Sequence, residues 1–156
     1  MKHKIDEIDK QILRILQENS KITNAKLSEK IGLSPAPTLE RVKKLERAGL
    51  IKSYHAVLDT EKVGLGVTTF LKVYLSDHTK EVFDSFIEQI SQIPNVIECH
   101  HVTGGCDFIL KIITENIASY QKFVLESISR IKEIRNMETL VILSTLKDSK
   151  VMPIPD

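Results

Sequence analysis

Between residues 68 and 146 the spacing of apolar residues switches from about two to about 3.6 and back, twice over, and no other feature restricts the fold as much. Strand patterns at 68–76, 96–102, 108–114 and 138–146 alternate with helix patterns at 80–92 and 117–131. The first helix carries Val82, Phe83, Phe86, Ile87 and Ile90 on one face, Pro94-Asn95 turns the chain after it, and Asn116 is placed to cap the second. The order βαββαβ is a weak internal repeat of two βαβ halves. Right-handed crossovers would put both helices on one face of a four-stranded antiparallel sheet. The expected class is α+β, with a ferredoxin-like sandwich.

Such a sheet has one face against helices and one against water, so its strands should alternate apolar and polar. FILKII at 108–113 and LVIL at 140–143 are instead apolar on both faces. An open surface of that kind exceeds what a monomer tolerates, which predicts a second subunit's sheet over it and a homodimer as the working unit.

The stretch ahead of this domain, NAKLSEKIGLSPAPTLERVKKLERAGL at 24–50, reads as two short helices meeting at Gly32. Leu27 and Ile31 share a face, Gly32 can take the positive φ that ends a helix, and Ser34-Pro35 starts the next one with an N-cap and a proline that has no N–H to lose. On the second helix Leu39, Val42 and Leu45 point one way, Pro37, Glu40, Arg41, Lys44 and Arg47 the other, with Lys43 on the flank. A helix-turn-helix over 24–48 explains this, with Ser34, Ala36, Pro37 and Thr38 near base edges and Arg41, Lys44 and Arg47 near phosphates. A solvated charged face explains the helix equally well on its own. Upstream, Ile5, Ile8, Ile12, Ile15 and Leu16 recur at helical spacing behind a capping box of Asp6 and Asp9. Downstream, Ala48-Gly49 closes the second helix and IKSYHAVL at 51–58 reads as a strand, the wing or a connector. The expected organisation is a DNA-binding domain at 1–60, a glycine-containing linker at 61–66, the sandwich at 67–147 and an aperiodic tail at 148–156 that wraps a neighbour or is disordered.

Charge follows this division. The chain carries a net +1, but residues 1–55 hold 12 Lys and Arg against 7 Asp and Glu, a balance of +5, and the remainder balances at −4. Positive charge lies where the DNA reader is placed. The first residues show no apolar signal core, and no apolar run approaches the ~18 residues of a membrane span, so a cytoplasmic protein is expected. Cys99 and Cys106 are too few for a disulfide framework and are read as free thiols. Cys99, His100, His101 and Cys106 do not form a metal pattern, because strand alternation sends His100 to the opposite face from Cys99 and His101. No cofactor is expected.

Thr103-Gly104-Gly105-Cys106-Asp107 joins two strands and has two readings. Glycines and Asp are ordinary hairpin residues. The same residues can also bind an amino acid, with glycine N–H groups on its carboxylate, Asp107 on its α-ammonium and Thr103 on either.

Taken together, Ile5-Asp6-Glu7-Ile8-Asp9, Gly32-Leu33-Ser34-Pro35-Ala36-Pro37, Leu39-Glu40-Arg41-Val42, the run from Leu45 to Ile51, and His101-Val102-Thr103-Gly104-Gly105-Cys106-Asp107-Phe108 resemble the Lrp/AsnC family of feast/famine transcriptional regulators. The resemblance extends from about residue 5 to 146. It implies a winged helix-turn-helix followed by a domain that dimerises and often assembles dimers into octamers. It also implies a small effector, usually an amino acid, bound between dimers near the Gly-x-x-Asp loop. The alternative is a tetrapyrrole (sirohaem-type) side-chain decarboxylase, since some chains resembling this family are such enzymes. No nucleophile with an adjacent base, paired acids or phosphate loop supports it here.

Overall fold

The computed structural model of the chain describes residues 5–155. Contacts within the chain group into two compact units, residues 1–57 together with 146–156, and residues 58–145.

The first unit is built on α1 (Glu7–Glu18), α2 (Asn24–Ile31) and α3 (Pro35–Arg47). The Asp6 carboxylate accepts the Asp9 N–H at 2.8 Å and the Asp9 carboxylate accepts the Asp6 N–H at 3.4 Å, a reciprocal capping box that also places two anions at the positive end of α1. Ile12, Leu27, Ile31 and Leu45 form the core, and the fully buried Ile12 and Leu45 each contribute roughly 1.5–3 kcal/mol of transfer free energy. Gly32 takes φ +70°, and the Leu33 N–H then reaches the Ser28 carbonyl at 3.0 Å, which ends α2 and turns the chain into α3.

Residues 51–58 do not form the expected strand. They run without a ladder partner, and Val57 and Leu58 stay 71% and 64% exposed, because an alternating sequence makes a strand only when another edge is offered to it. The segment is a connector. Its Tyr54 hydroxyl donates to the Glu46 carboxylate at 2.9 Å, tying the connector to α3. At the other end of the chain, residues 151–154 lie along α1, bonded to Arg14 and Gln17.

The second unit is β1 (Val67–Leu75), α4 (Lys80–Ser91), β2 (Val96–His101), β3 (Phe108–Thr114), α5 (Ile117–Glu126), a 3-10 turn (Ile128–Arg130) and β4 (Ile134–Val141). The sheet order is β2-β3-β1-β4 with every neighbouring pair antiparallel, the βαββαβ sandwich. Leu71, Val73, Leu75, Phe108, Leu110 and Ile112 face the helices, where Phe86, Ile90 and Tyr120 complete the core. Asn116 caps α5 by accepting the Ser119 N–H at 2.8 Å.

Two boundaries differ from the sequence reading. The helix expected to 131 stops at Glu126 and tightens into the 3-10 turn, which buries Ile128 and Ile131 while the chain returns to the sheet. The last strand starts at Ile134 rather than 138 and ends at Val141, since its register is set by β1, from Leu75 opposite Ile134 to Thr69 opposite Val141. The apolar run at 140–143 therefore straddles the strand end, and Leu143 is 95% exposed.

The outer face of the sheet carries Phe70, Ile109, Ile113 and Leu140 interspersed with two ion pairs, Lys72–Glu138 at 3.2 Å and Lys111–Glu98 at 3.0 Å. Leu140 is 42% exposed.

Candidate DNA-binding face and effector loop

The start of α3 is shaped by its two prolines. Ser34 is the N-cap residue but makes no side-chain capping bond, because Pro37 occupies the third helical position, where the usual N–H partner would be. Pro35 and Pro37 fix φ without leaving donors unpaired. Asn24, at the start of α2, donates from its amide to the Pro35 carbonyl at 2.7 Å and holds the two arms of the motif together.

Helix α3 is rotated by about one residue from the face expected on periodicity. Thr38 is fully buried and Leu39 is 42% exposed. Burying Thr38 leaves no polar group unsatisfied, since its hydroxyl donates to the Ser34 carbonyl at 2.9 Å. Thr38 is therefore not a base-edge residue: it lies inside, beneath the helix. Ser34, Ala36 and Pro37 are exposed at the helix start, as are Lys43, Lys44 and Arg47 along its length. Because Thr38→Val keeps the shape and removes only the local hydroxyl bond, it is expected to shift stability by ~1 kcal/mol or less and to leave relative affinities for variant duplexes unchanged in competition gel shifts.

Arg41 is the second correction. Its Nη1 sits 2.7 Å from Asp6 Oδ2 and 2.8 Å from Asp9 Oδ1, so the guanidinium is turned to the N-terminus of α1 and not to a phosphate. Asp9 is 3% exposed, and the bond both neutralises it and fixes α3 against α1. The Asp9 N–H, and Arg41 after it, hold the Asp6 carboxyl below the usual carboxylate range. Glu40 lies among the exposed cations, 3.5 Å from Lys43 and 3.8 Å from Arg47, and so positions those two. Among the described residues Lys44 makes no ion pair. The outward face thus presents Lys43, Lys44 and Arg47 beyond a proline-rich, uncharged start.

Desolvation, then the Glu46 carboxylate, push the Tyr54 hydroxyl up to about 12. The neutral phenol is the form the fold favours, so this contribution is present below the unfolded value of 10.0 and is lost as pH rises from there toward 12. A tyrosinate absorbance titration should lose a late step in Tyr54→Phe.

In the other unit, the Val102 N–H meets the Asp107 carbonyl at 3.0 Å and closes the 103–106 loop. Gly104 has φ +120°, a conformation that any side chain would strain. Thr103, Gly104 and Gly105 are exposed, and Cys106 and Asp107 are half-buried. Asp107 is already engaged: Oδ2 accepts the Leu75 N–H at 2.7 Å, and Oδ1 lies 2.8 Å from His78 Nε2. The Leu75 N–H, then His78 and the more distant Arg135, hold its carboxyl below the ordinary range, against desolvation. His78 covers this carboxylate, and nothing in its spacing from Asp107 signals the contact. A cavity of about 340 Å³, lined by Asn95, Thr114, Lys122 and Glu126, lies elsewhere and includes no loop residue. The loop is open surface in a single chain. On the inner face nearby, the exposed His101 ring packs against Phe83 and Phe108, with centroids at 4.9 and 5.1 Å, at the rim of the core.

Comparison with known proteins agrees with both halves. A winged helix-turn-helix DNA-binding family matches residues 5–52, and the Lrp/AsnC ligand binding domain matches residues 68–152. The chain is 40% identical over 152 residues to the transcriptional regulator AzlB of Bacillus subtilis, covering 97% of each chain. It is 34% identical over 145 residues to the leucine-responsive regulatory protein of Escherichia coli, covering 93% of this chain and 88% of that one. A transcriptional regulator of Neisseria meningitidis, solved as its L-Met complex, superposes with a TM-score of 0.92 at 32% identity over 96% of this chain and 97% of that one. These relatives are regulators, not enzymes, and the decarboxylase alternative is set aside. The chain is a member of the Lrp/AsnC family of transcriptional regulators, with a DNA-binding helix-turn-helix ahead of the family's ligand-binding domain.

Proposed function

We propose that this regulator works as a homodimer, assembled further into octamers as tetramers of dimers, and reads specific duplex DNA with paired α3 helices under the control of an amino acid bound between dimers. The observation that carries the DNA-reading half is the outward face of α3. Ser34, Ala36 and Pro37 stand free at the end that meets base edges, and Lys44 and Arg47, with Lys43 beside them, follow at the positions that meet phosphates. Functionally, residues 1–60 read DNA, 61–66 are the joint, and 67–147 bind the effector and dimerise.

The effector half rests on the loop. The exposed Gly104 and Gly105 N–H groups suit a carboxylate, Thr103 adds a hydroxyl, and the Asp107 Oδ1 is reached by an α-ammonium that takes the place of the His78 imidazole. An open loop leaves such a ligand half-solvated, which is the reason to place a second dimer over it. The L-Met complex of the Neisseria relative supports an amino acid as the ligand class. Phe70, Ile109, Ile113 and Leu140 on the outer sheet face supply the apolar surface for the dimer itself.

The test is a gel shift on the duplex upstream of the protein's own coding sequence, titrated with salt, beside a thermal-shift screen of the twenty amino acids. Binding should weaken steeply with salt, and one or a few amino acids at about 100 times their Kd should add about 2.7 kcal/mol to the stability of the native state. Absence of salt-dependent binding would overturn the DNA-reading assignment, and a flat screen would overturn the effector assignment.

A further inference from the structure

The last residues of the chain are built to lie extended. Met152 precedes Pro153 and Ile154 precedes Pro155, and a residue before proline is steered out of the helical region. The prolines fix their own φ and have no N–H to leave unsatisfied. Residues 151–155 are thus close to their docked conformation before they touch anything, and ordering them costs little chain entropy.

The surface they meet is one face of α1. Gln17 Nε2 donates to the Met152 carbonyl at 3.2 Å, and Gln17 Oε1 accepts the Met152 N–H at 2.7 Å. A primary amide offers a donor and an acceptor side by side, so Gln17 pairs with one backbone residue as a neighbouring strand would. Three residues earlier on the same face, Arg14 Nη2 donates to the Ile154 carbonyl at 3.4 Å. Ile154 is half-buried, whereas Val151 and Met152 are 44% and 71% exposed, so the seat is made by backbone bonds and one apolar side chain. Both pre-proline residues are the ones held.

This segment continues from β4. The chain leaves the DNA-binding unit after Val57, builds the ligand-binding unit, and rejoins the first unit at Leu146, so the DNA-binding unit is discontinuous in sequence. We propose that residues 151–155 are a strap through which the ligand-binding unit restrains α1, so that the DNA affinity of the head depends on the strap being seated. The head is then joined to the inserted unit through both of that unit's ends, and a change at β4 reaches α1 without passing through the connector at 51–58.

The experiment compares the full chain with Gln17→Met, Pro153→Gly and a chain ending at Ser149, by hydrogen exchange and by binding to a random-sequence duplex at fixed salt. Methionine keeps the length and helix propensity of Gln17 while removing both bonds. Exchange of α1 amides should speed by about tenfold in the shortened chain and in Gln17→Met and by less in Pro153→Gly, with β1 and β3 unchanged. Duplex affinity should change by about threefold or more, in the same order of variants. Should the shortened chain fail to fold, Gln17→Met decides alone. Unchanged α1 exchange in Gln17→Met would overturn the strap, and faster exchange with unchanged duplex affinity would overturn its role in DNA binding.

Discussion

Arg41→Ala is expected to destabilise the DNA-binding unit by about 2 kcal/mol, whereas Lys44→Ala, one residue-triplet along the same helix, should change its stability by less than ~0.5 kcal/mol. The difference follows from where the two cations point. Arg41 neutralises Asp9, which is 3% exposed, and bridges to Asp6. Removing it takes a charged partner away from a desolvated carboxylate at a helix junction. The estimate lies below the ~3–5 kcal/mol of a fully buried pair because 31% of the Arg41 side chain is exposed and Asp9 keeps its bond to the Asp6 N–H. Lys44 has the opposite profile: its loss should weaken binding to all duplexes and lower the slope of log affinity against log salt by about one. The acid limb separates them again. The folded-state pKa of Asp6 lies below its unfolded value of 3.8, so it stabilises the unit above that pH and the contribution is lost as pH falls through the lower folded value. Arg41→Ala should make that acid loss shallower and Lys44→Ala should not. Equal melting points for the two variants would return Arg41 to the phosphate-contacting face.

The features legible in the sequence are those fixed by local physics. Phe108–Thr114 forms the strand its apolar run announces, Asp6 and Asp9 make the capping box their spacing allows, and Gly32 takes the positive φ that the turn needs. Features decided by a distant partner were not legible. The strand before the tail begins four residues early because β1 sets its register. Residues 51–58 alternate like a strand but meet no edge. Thr38 and Leu39 exchange places because a threonine that bonds its own i−4 carbonyl can be buried, while hydrophobicity alone would bury the leucine. The tail has no periodicity to read, since its docking uses backbone groups and two prolines. The engagement of Asp107 with Leu75 and His78 links residues about thirty positions apart, and composition carries no trace of it.

That engagement makes Asp107 the residue whose substitution should have the widest effect in the ligand-binding unit. Asp107→Ala is expected to cost about 2–3 kcal/mol, because the Leu75 N–H, in a residue 1% exposed, loses a charged acceptor. The exposed His78 contact adds little to this figure. Asp107→Asn keeps an oxygen for Leu75 and should cost about 1 kcal/mol. In both variants the acid limb should flatten: the Asp107 carboxyl is held below its unfolded value of 3.8, so its stabilisation is present above that pH and disappears as pH falls through the folded value. The pair also divides two roles for the residue. A carboxylate that meets an α-ammonium is lost in both variants, so the midpoint shift produced by the effector amino acid should vanish in both. A carboxylate that serves only to anchor the loop is replaced adequately by the asparagine oxygen, and the shift should then survive in Asp107→Asn while failing in Asp107→Ala. The first pattern places the effector's ammonium on Asp107 in competition with His78. The second leaves recognition to Thr103, Gly104 and Gly105, with Asp107 holding them in position from below.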